Sequence, residues 1–192
     1  MKRLAIAVAV GALFSGSVLA QQGTVQRNVN QQERIEQGLK SGQLTTQEAA
    51  RLENEQSRIQ RDQARALKDG TLSPEEKARL SREQNQASRD IQREKNDAQK
   101  GDPASASSQR MQADVQRNVN QQKRIEQGVQ SGQLTNKEAG RLEKGAAHVE
   151  KREARAGRDG TVSAGEQHRI QRAEDRESRR IHKQKHDAQT AK

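Results

Sequence analysis

Apolar or small residues return along this chain at alternating intervals of three and four. One run is Ala49, Leu52, Gln56, Ile59, Gln63 and Ala66, and the next is Leu80, Gln84, Ala87 and Ile91. That spacing is helical. The stripe is narrow and interrupted by glutamine, which predicts a coiled-coil-like seam rather than a broad globular face. Val25, Val29, Ile35 and Leu39 supply a facing surface on a preceding helix. Helices are expected over 25–40, 46–68 and 74–98, with turns short enough to make neighbours antiparallel.

The punctuation between these helices is explicit. "SGQLTTQEAARL" and "DGTLSPEEKARL" share a glycine, a leucine two residues on, then Thr or Ser, and a Glu three residues after that. Gly42 and Gly70 suit the left-handed conformation that closes a helix. Thr45 and Ser73 suit the N-cap of the next one, with Glu48 and Glu76 completing a capping box, and Pro74 falls where a missing N–H costs nothing. The second stretch also looks like the end of an EF-hand calcium loop. Placing Gly70 and Glu76 in that frame, however, puts Arg65 and Leu67 at the first and third ligand positions, and Arg155 and Gly157 take those places further on. Calcium requires oxygen ligands there, so the glycines read as helix punctuation.

The chain is duplicated at an offset of 90 residues. "VQRNVNQQERIEQGLKSGQLT" from Val25 returns as "VQRNVNQQKRIEQGVQSGQLT" from Val115, and the match continues loosely to "KNDAQ" and "KHDAQ". The boundary residues return as Gly132, Thr135, Glu138, Gly160, Ser163 and Glu166. The expected fold is all-α: two tandem antiparallel three-helix modules, 25–99 and 115–189, joined by a linker, 100–114, and preceded by a signal peptide, 1–20. The seam residues Leu52, Ile59, Leu80 and Ile91 have Leu142, Val149, Ile170 and Ile181 as counterparts. The second module is expected to be the weaker. Gly140, Gly145, Gly157 and Gly165 replace Ala50, Glu55, Leu67 and Glu75, and an interior helical glycine costs about 1 kcal/mol relative to alanine.

Composition sets the address and excludes several activities. "MKRLAIAVAVGALFSGSVLAQQ" has basic residues, an apolar run and small residues before a cleavage position at Ala20, the pattern of a secretory signal. The apolar run falls short of the roughly 20 residues a spanning helix needs, so a periplasmic or secreted protein without a transmembrane helix after cleavage is expected. The absence of cysteine removes disulfides and thiolate chemistry. The only aromatic residue, Phe14, lies in the signal, which argues against base stacking and hence nucleic acid. No phosphate loop, GxSxG or HExxH occurs, so neither an enzyme nor a cofactor is expected.

Charge and histidine add two candidate sites. The net charge of +10 is concentrated in the second module, notably "RESRRIHKQK". Such a face could hold an anionic envelope component, although basic residues near a helix C-terminus also complement its dipole. His182, His186 and Asp187 in "HKQKHD" offer metal-ligand chemistry on one helical face. The stretch "QLTTQEAARL" resembles the LTxxQ stretch of Spy-like and CpxP-like periplasmic helical proteins, over about five residues per turn, with Glu48 and Glu138 at its last position. That resemblance implies an envelope binding role of the chaperone type. The functional expectation is a non-enzymatic protein that binds polypeptide clients or self-associates through the seam. The alternative is metal or anion binding through the basic, histidine-bearing second repeat.

Overall fold

Four of the six helices begin on a reciprocal cap. The Thr45 hydroxyl accepts the Glu48 N–H at 3.2 Å, while the Glu48 carboxylate accepts the Thr45 N–H at 2.8 Å. The same pair of bonds opens the helices after Ser73, Thr135 and Ser163. In a computed structural model that describes residues 15–187, the elements are α1 (Ser15–Lys40), α2 (Thr46–Ala66), α3 (Pro74–Asn96), α4 (Ala106–Gln130), α5 (Asn136–Ala156) and α6 (Ala164–Lys185). A 3-10 turn at Gly157–Asp159 follows α5. No strand occurs among the described residues, and no helix among them is long and apolar enough to cross a membrane. Residues 1–14 of the expected signal peptide and 188–189 of the second repeat lie outside the described residues.

The four boundary glycines adopt positive φ: 71° at Gly42, 97° at Gly70, 72° at Gly132 and 91° at Gly160. A side chain in that region is strained. The first and third of these turns also depend on a second glycine, because a Cβ on Gly38 or Gly128 would fall within 2.7 Å of the Leu44 or Leu134 side chain. These leucines fold back under the turn and are almost completely buried.

The helices run further than the hydrophobic stripe alone indicates. Helix α1 extends upstream of 25 as far as Ser15, the first described residue, and the second half of 100–114 is the first turns of α4. The short segment before α4 is tied to the first turn, with the Gly101 N–H donating to the Gly42 carbonyl at 2.9 Å.

Two antiparallel helix pairs join the copies: α2 lies along α5, and α1 along α4. At one end of the α2–α5 pair, the Gln47 amide donates to the Arg158 carbonyl at 3.0 Å. At the other, the Asn136 amide donates to the Gly70 carbonyl at 2.9 Å. The α1–α4 pair is marked by Lys123 Nζ at 2.7 Å from the Glu33 carboxylate. Within each copy the first and third helices are parallel: Gln31 and Arg34 donate to the Gln84 and Ser88 carbonyls, and Gln121 and Arg124 to those of Glu174 and Ser178. The eight seam residues are at most 3% exposed. The larger apolar cluster takes Leu52 and Ile91 from one copy and Val149 and Ile170 from the other, so the core is continuous across the α2–α5 contact, while α3 and α6 lie on the helices of their own copy.

That packing changes the meaning of the glycines in the second copy. A Cβ on Gly140 would lie 2.9 Å from Leu67 Cβ, and one on Gly157 would lie 2.9 Å from Ala50 Cβ. Leu67 and Gly157 are duplicates of each other, as are Ala50 and Gly140, so the α2–α5 interface meets a large residue with a small one at one end. Gly145 likewise leaves room for the Glu177 carboxyl, where the first copy has Glu55 and Ala87. Gly165 has nothing within 4 Å and keeps only its conformational cost. Packing therefore offsets a penalty that helix propensity alone assigns. Gly140→Ala is expected to lower the thermal midpoint despite the better helix former; a midpoint raised by the substitution, measured by circular dichroism, contradicts the interface.

Candidate functional site

Where α2 meets α5 the interior is built from amides and carboxylic acids. The 90-residue offset pairs Gln60 with Glu150, Gln63 with Glu153 and Gln84 with Glu174, so an amide in the first copy becomes an acid of nearly the same shape in the second. The first pair meets directly, the Gln60 amide donating to the Glu150 carboxyl. The others take equivalent partners. The Asn28 amide donates to Gln63 Oε1 at 2.8 Å, and the Asn118 amide to Glu153 Oε2 at 2.6 Å. The Gln32 amide donates to Glu53 at 3.1 Å and to Glu150 at 3.0 Å, using both of its hydrogens, while the Gln122 amide reaches Glu143 at 3.3 Å.

Glu53, Glu143, Glu150 and Glu153 are fully buried. Among the described residues none of the four forms an ion pair, and each keeps one oxygen without a hydrogen-bond partner. Two neighbours do find cations: Glu174 lies 3.2 Å from Arg117, and Glu177 lies 3.2 Å from Arg180. Burying an unpaired carboxylate costs several kcal/mol, so the group keeps its proton instead. Burial pushes Glu53 and Glu143 from the ordinary 4.5 up to about 8. Burial, and then the charge of Glu53, holds Glu150 and Glu153 well above the ordinary range. A protonated carboxyl carries one donor and one acceptor group, as an amide does. The two copies thus supply chemically similar groups to one interior. This arrangement holds protons and releases them as pH rises.

The residues singled out from the sequence fall in separate places. The seam leucines, isoleucines and valine line the interior on either side of these acids. His182 and His186 lie one helical turn apart at the end of α6, with ring centroids 4.2 Å apart. The His186 Nδ1 lies 2.7 Å from the His182 carbonyl oxygen, which ties that ring to its own helix. Asp187 accepts a hydrogen bond from the Gln184 amide. Among the described residues, the three side chains whose ligand atoms all lie within 4.8 Å of one another are Glu48, Glu94 and Asp97; His182, His186 and Asp187 do not meet that condition. Arg51 stands beside the former group, 3.8 Å from Glu48 and 3.3 Å from Glu94.

Asn28, Gln32, Asn118 and Gln122, which organise the interior, were not singled out from the sequence. Their signal was the identity of "RNVNQQ" in both copies, where a solvated helix face would tolerate change. No family model, curated protein or solved structure matches this chain.

The sign of the pH dependence follows from the raised values. Between pH 4.5 and about 8 the folded chain binds more protons than the unfolded one, so stability falls as pH rises. The stabilisation is complete below the unfolded value and lost through the folded one, at about 1.4 kcal/mol per pH unit for each group. Urea midpoints should decrease from pH 5 to pH 8. Glu150→Gln with Glu153→Gln, copying the first repeat, should flatten the curve and raise the midpoint at pH 8. A midpoint independent of pH, or lowered at pH 8 by the double substitution, contradicts protonated interior acids.

Proposed function

We propose that this chain is a non-enzymatic helical repeat protein, exported to the periplasm after removal of 1–20, that acts by binding other polypeptides and by associating with copies of itself. In this reading 25–99 and 115–189 are two three-helix modules, each the other's partner within one chain. The observation that carries it is the joining of the copies along α2 and α5: the apolar face of α2 closes against α5 of the duplicate copy, while α3 and α6 each pack on the helices of their own copy. A surface satisfied by a duplicate within the chain can also be satisfied by the same repeat in another chain, or by a client helix with a similar apolar spacing.

The interior acids supply the release. As pH rises through their folded values, charge accumulates between α2 and α5 and the closed arrangement loses its advantage over an open one. An opened pair exposes the seam residues of the two facing helices, Leu52 and Ile59 of α2 and Leu142 and Val149 of α5, for a client or a second chain. Chemistry on a substrate has no role in this reading.

Light scattering on the full mature chain, with aggregation suppression of an unfolding client in parallel, tests the proposal between pH 6 and pH 9. Association and client protection are expected to rise with pH. A monomer without effect on the client throughout that range removes the reading.

A further inference from the structure

Outside the interior, the α2–α5 pair carries a concentration of cations that the seam does not use. Arg61, Arg65 and Lys68 occupy positions i, i+4 and i+7 of the C-terminal part of α2 and the turn after it. Lys137, Arg141 and Lys144 occupy the same spacing at the N-terminal end of α5. Because the helices are antiparallel, the two triplets face one another across a cleft of about 600 Å³, floored by Ala64, Leu67 and Gly140. No acidic residue lines this cleft; Asp62, beside it, pairs with Arg65.

The duplication produces a second cleft at the opposite end of the same helix pair. Lys151, Arg155 and Arg158 repeat the α2 triplet there, but the facing positions are Gln47, Arg51 and Asn54. Arg51 is also engaged by Glu48 and Glu94. The second cleft, of about 310 Å³, therefore has four cations where the first has six. His148 lies between the two clefts. Partial burial, followed by the charges of Lys144, Arg61, Arg152 and Lys151, pushes its imidazole below the usual range, as a locally positive field requires.

We propose that the six-cation cleft between α2 and α5 binds a ligand carrying several clustered phosphate groups, and that the four-cation cleft at the other end binds the same chemistry more weakly. The like charges around this depression repel each other; Asp62 on Arg65 and Asp69 near Lys137 offset part of that repulsion, and a multivalent anion relieves the rest. Arginine's planar donors match phosphate oxygens in pairs, and the flanking lysines add mobile point charges. The cleft volume suits a small oligophosphate. Contacts of this kind weaken steeply with salt. The seam residues do not line the cleft, and measurement at pH 6, where the α2–α5 pair stays closed, tests the site separately from polypeptide binding.

The chain supplies its own control. Lys137→Gln with Lys144→Asn converts the larger cleft into the residues already found in the smaller one, so these positions accept the change without loss of the fold; circular dichroism verifies that. Titration of the full chain with tripolyphosphate at about 50 mM salt should show binding that weakens as salt is raised. It should lose roughly tenfold or more in affinity in the double variant, the change expected when two of six charge contacts are removed. Vesicles of anionic phospholipid form the second arm. Capture by vesicles that depends on Lys137 and Lys144, without tripolyphosphate binding, assigns the phosphates to a membrane surface, whereas tripolyphosphate binding alone assigns them to a soluble ligand. Binding unchanged in the folded double variant, or no binding in either arm, overturns the site.

Discussion

The structure depends on carboxylic acids that stay uncharged inside a helical interface. Glu53, Glu143, Glu150 and Glu153 lie between α2 and α5, fully buried and without ion pairs among the described residues. Were they ionised, the two copies would be driven apart at their largest contact. Protonated, they serve as amide equivalents and accept hydrogen bonds from Asn28, Gln32, Gln60, Asn118 and Gln122. A chain with so few large apolar side chains gains little from hydrophobic burial alone, and the polar interior gives the interface its register.

Duplication explains why such an interior is tolerated. At three interior positions the first copy has glutamine where the second has glutamate, which places similar shapes at equivalent positions, and Gln60 meets Glu150 where they face each other. The same complementarity governs size. Leu67 opposes Gly140, and Glu177 fills the space over Gly145. The second copy has lost volume at Gly140, opposite Leu67 of the first, and at Gly145, beneath its own Glu177. Their outer faces have diverged in charge, which leaves the two clefts between α2 and α5 unequal.

Much of the fold was legible in the sequence because its local signals are strong. A Thr or Ser followed three residues later by Glu, after a glycine, defines a helix start through its own hydrogen bonds, and four such starts occur with those bonds in place. The contact between copies was not legible. An internal repeat states that two segments are alike, without stating that they touch. The glutamines at Gln56 and Gln63 therefore read as interruptions of an apolar seam, and the glycines of the second copy as simple costs. Asn28 and Gln32 carried no sign of burial beyond their identity in both copies. The cationic clefts were equally hidden, since the triplets on α2 and α5 are far apart in sequence and meet only through the antiparallel packing.

The account is tested most directly by counting protons released on unfolding at pH 7, from the buffer dependence of the calorimetric unfolding enthalpy or by direct potentiometry. The four interior acids that remain protonated in the folded chain predict a release of roughly four protons per molecule. A release near zero would mean that these groups are already ionised, or exposed to water, in the folded protein. The joined arrangement of the two copies would then be contradicted.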